Sequence, residues 1–220
     1  MILALSSSTD FFSLALFNNP SFQLKASTGL FSYQKFQEIG LEHIHSFLLA
    51  NQCPLNQLKA LAVDTGPGGF TSLRLGVATI KTLAYVLSLP IYEACSLDLI
   101  AFHFLNPKNI IVALDGKQKR LYTRFYHGDN QKSPVMDLTP TQLEEIICQK
   151  GYSHYQTLGD GFLAYPHLQN KGHSYPNFCH YPMAQNIPLC WMPPQDQNLI
   201  NPRYYRKTQA EEKKHENLSY

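Results

Sequence analysis

The segment DTGPGGFTSLRLG, residues 64–76, places three glycines and one proline at positions 66–69. It follows an apolar run at residues 58–63, which predicts a strand, and it precedes an apolar helical pattern at residues 70–87. A glycine-rich turn that opens a helix is the context of a phosphate-binding loop, because free amides and the helix dipole favour an anion. The same pattern is typical of a tight turn that lets the helix pack closely on the sheet.

The segment lacks the lysine and the hydroxyl of a Walker loop at their usual spacing, and it lacks the G-x-G-x-x-G pattern. We therefore favour a structural turn, with phosphate binding as the alternative. The residues of this turn motif are Gly66, Pro67, Gly68, Gly69, Phe70 and Thr71.

The remaining pattern predicts an α/β fold in which a similar order of elements occurs twice. Residues 2–6, 12–17 and 21–27 read as an antiparallel meander, followed by a helix at 34–50 and, after the strand and helix above, a strand at 91–94. Ser96 is expected to cap a helix that ends near Phe104.

In the second half, strands are predicted at 110–114, 121–126, 134–138 and 155–158, with a helix at 142–149 capped by Thr139 or Thr141. Five prolines between residues 169 and 197 predict a loop with short extended pieces.

Two predicted helices, 34–50 and 70–87, are rich in apolar residues at three- and four-residue spacing. Such positions are expected either in the core or against a pair of partner helices. The candidate core or partner-facing positions are Ile39, His43, Ile44, Phe47, Leu73, Arg74, Val77, Ile80 and Ala84.

Composition excludes several classes of protein. The chain has 220 residues, 44% of them hydrophobic, with 15% charged residues and a net charge of +2, which does not predict nucleic-acid binding. A basic cluster is interpreted as a solvated hairpin edge rather than a phosphate-binding face. Its members are Lys117, Lys119, Arg120 and Arg124. No run is apolar enough to span a membrane and no signal peptide is recognised, so we expect a cytoplasmic protein.

No metal site is predicted. The five cysteines are widely spaced without a C-x-x-C pair, and His43 and His45 would point about 200° apart on a helix. Asp115–Gly116 fits either a metal- or water-binding carboxylate or a simple turn, and the sequence leaves both open. The serines at 6–8 are interpreted as turn residues. The Gly-Asp-Gly at 159–161 fits either a close approach to a nucleotide or a turn at the end of a strand, and the sequence leaves both open.

The order of elements, together with GPGGFT at 66–71 followed by Arg74 and Gly76, resembles the TsaB (YeaZ) family. Glycine stands at position 69 where that family usually has serine, and serine stands at 72 where it usually has glycine. Weaker matches to family motifs occur at three further places. They are Asp115, Gly116, Lys117 and Tyr122, then Gly159 and Gly161, and finally Pro202, Tyr204 and Arg206.

The resemblance implies the two-lobed α/β fold of the actin, sugar kinase and Hsp70 group, with ribonuclease H-like lobes and a reduced second lobe. We divide the chain into an N-terminal lobe at 1–106, which carries the partner-binding helices, and a C-terminal lobe at 107–206, which is proline-rich from residue 170. Residues 207–220 are expected to form a flexible tail.

The resemblance also implies a function. Proteins of this family are non-catalytic partners of TsaD, a catalytic paralogue that transfers a threonylcarbamoyl group to N6 of adenosine 37 in tRNA, and they work with the ATPase TsaE. We expect a scaffold subunit that binds TsaD, meets tRNA through the complex and holds no cofactor of its own. A weak nucleotide site at the partner interface and a homodimer of the free protein stay open.

Three departures from the enzymes of this fold group argue against catalysis. Ser6 ends the first strand where an acidic residue is usual, and serine does not organise Mg²⁺ as a carboxylate does. The H-x-x-x-H motif of the catalytic paralogue is absent, and the helix before P-x-Y-x-R is replaced by the proline-rich region. An ATP-dependent phosphotransferase is therefore the alternative, and a metallopeptidase is the least favoured.

Overall fold

Two β-sheets organise the chain. The computed structural model describes residues 1–31, 36–102, 109–127, 131–149, 155–169, 175–190 and 196–205. The first sheet has the strand order β3-β2-β1-β4-β5, and the second has the order β8-β7-β6-β9. The predicted mixed α/β architecture with two sheets is confirmed.

The first sheet joins an antiparallel meander to two parallel strands. Its strands are β1 (Ile2–Ser6), β2 (Phe11–Phe17), β3 (Leu24–Phe31), β4 (Ala60–Asp64) and β5 (Ile91–Ala94). Every residue of β1, β2 and β4 is buried. Strands that are buried on both faces need a packed layer on each side of the sheet.

Two helices, α1 (Phe36–Ala50) and α2 (Phe70–Leu87), cover one face of the first sheet. The predicted bounds of the second helix are confirmed. The first helix, predicted from residue 34, begins at Phe36 among the described residues. Their inward side chains form one core cluster with leucines of β1 and β2.

The opposite face is covered by α3 (Ser96–Ala101) and by a 3₁₀ segment, Ala184–Cys190. Ala184 and Ile187 pack against small side chains of the sheet, which let this segment approach closely. The amide of Ala184 donates to Ser13 Oγ at 2.9 Å. Part of the proline-rich region, assigned by sequence to the second lobe, thus packs on the sheet of the first.

The proline-rich region corrects one prediction. Where short extended pieces were expected, the described part of the region contains 3₁₀ turns at Asn177–His180 and Ala184–Cys190, and a further 3₁₀ turn, Gln197–Leu199, begins at its end. Prolines exclude a regular helix because they remove backbone donors, but they allow single turns of this kind.

The second sheet consists of β6 (Ile110–Asp115), β7 (Leu121–Tyr126), β8 (Met136–Leu138) and β9 (Gln156–Leu158), with α4 (Pro140–Gln149) and α5 (Asp160–Ala164). Thr139 caps α4 as predicted: Gln142 N donates to Thr139 Oγ1 at 3.2 Å, and Thr139 N donates to Gln142 Oε1 at 2.9 Å. This reciprocal pair is a capping box.

The predicted cap of α3 is wrong, because Cys95 precedes the helix without a side-chain cap and the Ser96 hydroxyl bonds elsewhere. Several predictions fall outside the described residues. They are the end of α3 near Phe104, the lobe boundary at 106, Arg206 of the closing motif and the tail at 207–220.

Candidate functional site

Asp64 ends β4, and its carboxylate is fully buried. Oδ2 accepts hydrogen bonds from the hydroxyls of Ser6 at 2.8 Å and Ser8 at 2.5 Å. Oδ1 accepts from the Ser96 hydroxyl at 2.5 Å and from the Gly66 amide at 2.8 Å. An ionised carboxylate offers about four acceptor positions, so these four donors saturate it. Asp64 therefore joins β1, β4, α3 and the glycine-rich turn at one point.

Burial raises the pKa of Asp64, and the hydrogen bonds from Ser8, Ser96, Gly66 and Ser6 oppose that rise. Of the three serines interpreted as turn residues, Ser6 and Ser8 are thus partners of a buried acid, whereas Ser7 Oγ donates to the Ser72 carbonyl at 3.0 Å. The contact between Ser6 and Asp64 could have been predicted from the pairing of their strands. Because β1 and β4 are parallel neighbours, the two residues end at the same edge of the sheet.

The glycine-rich turn packs directly against the loop after β1. The Gly69 amide donates to the Ser8 carbonyl at 2.6 Å. A Cβ atom added at Gly68 would lie 2.0 Å from the same Ser8 oxygen, and one at Gly76 would lie 2.1 Å from Ser7 Oγ. The Ser8 backbone thus occupies the space in front of the turn, and the Gly69 amide is already engaged. This geometry favours close packing of α2 over phosphate binding.

A cleft of about 570 Å³ lies between the two lobes. The N-terminal lobe contributes the loop Ser8–Asp10 and the turn from Pro67 to Phe70, and the C-terminal lobe contributes the β6–β7 turn and Asp160. Aromatic side chains form much of its wall. They are Phe70, Tyr122, Tyr204 and Tyr205.

The cleft carries three carboxyl groups, on Asp10, Asp115 and Asp160, and the amine of Lys117. Asp115 accepts from the Lys117 amide at 2.9 Å and forms an ion pair with Lys117 Nζ at 3.0 Å. Of the two functions left open for Asp115, this geometry supports the hairpin turn. Asp160 Oδ1 accepts from the Asp115 amide at 2.9 Å. Burial raises the pKa of Asp160 to about 6, and the charge of Asp115 adds to that rise against the amide hydrogen bond.

Replacing Asp160 with asparagine is expected to stabilise the fold above pH 6 and to lose that effect at lower pH. The folded pKa of about 6 lies above the ordinary value of 3.8, so ionised Asp160 destabilises the folded state. The folded protein takes up the proton first as the pH falls through 6, which removes the penalty. The gain should be about 3 kcal/mol at pH 8 and should shrink towards pH 4.

Urea unfolding of both proteins from pH 4 to 8 measures this difference. Asparagine keeps the acceptor for the Asp115 amide, so the comparison isolates the charge. A stability difference that does not change with pH would contradict the prediction.

The basic cluster is largely neutralised by ion pairs. Arg120 contacts Asp137 at 2.8 Å, Arg124 contacts Asp98 at 2.7 Å, and Lys117 pairs with Asp115 as described. Lys119 is exposed. These pairs agree with a hairpin edge and leave little free charge for a phosphate-binding face.

The structure divides the candidate helix positions into two groups. Six of them are buried in the protein's own core and are not open to a partner: Ile44, Phe47, Leu73, Val77, Ile80 and Ala84. Ile39 and His43 are half-buried, and Arg74 is exposed.

Sequence reasoning missed the apolar residues that do face outward on these helices. Leu41 and Leu49 of α1 are 69% and 71% exposed, and Tyr85 and Val86 of α2 are 74% and 70% exposed. We call the exposed side of α1 and α2, which includes these four residues, the outer face. Because α2 is apolar nearly all round, periodicity alone could not separate its core side from its outer face.

Within the described ranges, no three His, Cys, Asp or Glu side chains cluster closely enough to hold a metal ion. In the same ranges, no helix combines the length and apolar character that crossing a bilayer requires.

A family model described as "TsaD: tRNA N6-adenosine threonylcarbamoyltransferase" matches residues 32–147, more than half of the 220-residue chain. The tRNA threonylcarbamoyladenosine biosynthesis protein TsaB of Haemophilus influenzae is 29% identical over 184 residues, 77% of this chain and 76% of the relative. The protein of the same name from Escherichia coli is 27% identical over 174 residues, 76% and 74% of the two chains.

Solved structures agree on the fold. The structure titled "YeaZ from Pseudomonas aeruginosa" superposes with a TM-score of 0.71 at 18% identity, covering 92% of this chain and 98% of that chain. A protein with similarity to peptidase YEAZ, from the same organism, gives a TM-score of 0.73 over 93% and 99% of the two chains. The two-lobed fold expected from the sequence is confirmed. The chain therefore belongs to the TsaD family of tRNA N6-adenosine threonylcarbamoyltransferase proteins, and within that family it is of the TsaB (YeaZ) type.

Proposed function

We propose that the chain is a non-catalytic scaffold subunit of the machinery that makes N6-threonylcarbamoyladenosine at position 37 of tRNA. In this proposal it binds and supports the catalytic paralogue TsaD, works in the same complex as the ATPase TsaE, and meets tRNA through that complex. The relatives named as threonylcarbamoyladenosine biosynthesis proteins support the pathway. The main observation that supports the scaffold role is the apolar outer face of α1 and α2.

The outer face has the character of a protein interface. Four large apolar side chains on two adjacent helices are each more than two-thirds exposed, and among them Tyr85 belongs to a residue type enriched at binding hot spots. Ala78 and Thr82, smaller residues two turns and one turn before Tyr85 on α2, are also exposed. A partner helix could therefore approach the backbone of α2 closely and bury this apolar area at about 25 cal/mol per Å².

The alternative, an ATP-dependent phosphotransferase, finds less support in the geometry. Its phosphate would need the amides of the glycine-rich turn, but the Gly69 amide is bonded to Ser8 and the Ser8 backbone fills the adjoining space. Ser6, at the position where related enzymes carry an acid, donates to Asp64. Three carboxyl groups in the cleft would also repel a polyphosphate.

The junction between the lobes supports a scaffold as well. Asp98 of α3 accepts hydrogen bonds from Arg124 and Tyr126 of β7 and from Lys132, each at 2.7 Å. Enzymes that close two lobes around a ligand depend on relative motion. Three charge-assisted bonds on one carboxylate restrain such motion here.

The test is the affinity of the full chain for TsaD from the same organism, measured by isothermal titration calorimetry. Val86→Asp and Tyr85→Asp should each weaken binding by about 30-fold or more, because each places a charge in an apolar contact. Phe178→Asp is the matched control: Phe178 is exposed and apolar but lies near α3, on the other side of the first sheet. Charges at Val77 or Ile80 cannot serve, because both residues are buried in the core.

Unchanged affinity of both folded outer-face variants would overturn the proposed interface. Light scattering of the free proteins measures their oligomeric state as a second test. If Val86→Asp converted a free dimer into a monomer but left TsaD affinity intact, the outer face would be a homodimer surface instead.

A further inference from the structure

Arg74 is fixed in place although it lies on the surface. Its Nε donates to Tyr204 Oη at 2.6 Å. Its guanidinium carbon lies 3.8 Å from the centroid of the Phe70 ring and 5.3 Å from that of Tyr204. The two rings are themselves 4.7 Å apart. The cation–π contact with Phe70 and the hydrogen bond through Nε hold the guanidinium in one orientation, which a flexible lysine could not reproduce.

Tyr204 is in turn held by the segment that precedes it. Ile200 is buried in the first core cluster, and its carbonyl accepts from Lys81 Nζ of α2 at 2.8 Å. The Arg203 amide donates to the Thr65 carbonyl at 2.8 Å, and the Arg203 side chain pairs with Glu93 at 2.5 Å. Because its neighbours are anchored at these points, Tyr204 positions Arg74 before any partner arrives, which lowers the entropy lost on binding.

The outward edge of the guanidinium is open. Among the described residues, the Nη1 and Nη2 atoms of Arg74 have no hydrogen-bond or ion-pair partner. With Nε occupied, these two nitrogens present parallel donors, the geometry that a carboxylate accepts in a bidentate manner. Arginine is also among the residue types that are enriched at binding hot spots.

Arg74 lies at one end of the outer face. It is followed at three- and four-residue spacing by Ala78, Thr82 and Tyr85, so these residues share one side of α2. The exposed side of α1 carries the acids Glu38 and Glu42. Those acids would repel the phosphates of RNA, whereas a protein surface with one correctly placed acid can satisfy Arg74 and cover the apolar residues beside it.

We propose that Arg74 is a preorganised docking point for an aspartate or glutamate on a helix of the protein partner that covers the outer face. This inference rests on the proposed function, because the partner is TsaD in that proposal. Its acid would lie where the partner helix passes Ala78 and reaches the start of α2.

The experiment measures TsaD affinity for the full-length chain carrying Arg74→Gln, Arg74→Lys or Tyr204→Phe. We expect Arg74→Gln to weaken binding by about 30-fold and Arg74→Lys by about 10-fold, because lysine keeps the charge but loses the bidentate contact. Tyr204→Phe, which removes only the acceptor for Nε, should weaken binding by about 3-fold. Lys119→Gln is the control for loss of an exposed positive charge.

The outcomes separate this inference from the proposed function. If Val86→Asp abolishes TsaD binding while Arg74→Gln binds normally, the role of Arg74 is overturned and the interface stands. If Val86→Asp, Tyr85→Asp and Arg74→Gln all bind normally, both proposals fall. If Arg74→Gln lowers only the affinity of the assembled complex for tRNA, Arg74 contacts RNA and the inference is wrong. Unchanged urea midpoints establish that the variants are folded.

Discussion

Asp64→Ala is expected to lower the free energy of unfolding by about 3–4 kcal/mol, one of the largest effects that a polar residue of this chain should have. The substitution removes the acceptor of four hydrogen bonds in a fully buried site. Ser6 has a second acceptor, the Pro182 carbonyl at 3.2 Å, but no second acceptor is recorded among the described residues for the Ser8 and Ser96 hydroxyls or the Gly66 amide. Each donor left without an acceptor costs about 1–3 kcal/mol, and recovery of the buried carboxylate's desolvation offsets part of the sum.

Urea unfolding followed by circular dichroism measures this loss, with two controls. Ser96→Ala removes one of the four donors and should cost about 1 kcal/mol. Asp10→Ala removes an exposed acid of the cleft and should change stability by less than about 0.5 kcal/mol. An Asp64→Ala protein within about 1 kcal/mol of the unsubstituted chain would contradict the central role given to this carboxylate.

The regular elements of the first lobe could be predicted from sequence because local pattern determines them. The bounds of α2 follow from a strand, a glycine-rich turn and a long apolar period that ends at Leu87. The capping box at Thr139 and Gln142 is likewise a local signal. Such features need no knowledge of distant residues.

The features that could not be predicted from the sequence depend on contacts between distant parts of the chain. The hydroxyls of Ser6 and Ser96 reach Asp64 across 58 and 32 residues. The segment Ala184–Cys190 forms a layer of the first lobe because small side chains of β1 and β4 leave room for it. No local period marks such a segment, since Pro188 within it and Pro182 just before it break any regular pattern.

The same limit applies to the partner-facing positions. Apolar residues of α2 recur on nearly all sides, so the pattern does not predict whether Val77 or Val86 faces the core. In the structure Val77 is buried and Val86 is 70% exposed, because only the sheet decides which side of the helix is covered. We therefore place the proposed interface on the outer face of α2 and not on its core side.

Asp98 links the two lobes through a network whose loss should be as costly as that of Asp64. Burial raises the pKa of Asp98, but the Lys132 hydrogen bond, the Arg124 charge and the Tyr126 hydroxyl outweigh it, and the pKa lies below its ordinary value. Stabilisation by Asp98 is thus fully present above the ordinary carboxyl pKa of about 4 and is lost as the pH falls below it.

Asp98→Ala is expected to lower the free energy of unfolding by about 3–4 kcal/mol at pH 7, because it leaves the mostly buried Arg124 guanidinium without its counter-charge and the buried Tyr126 hydroxyl without its acceptor. Asp98→Asn keeps one acceptor and should cost less. Adding Arg124→Met to Asp98→Ala should recover part of the loss, since the unpaired charge is then removed while the aliphatic packing remains. The double variant distinguishes an ion pair from simple packing. If its loss of stability equals the sum of the losses of the two single variants, the carboxylate and the guanidinium act independently. Asp98 would then not join the lobes through this ion pair.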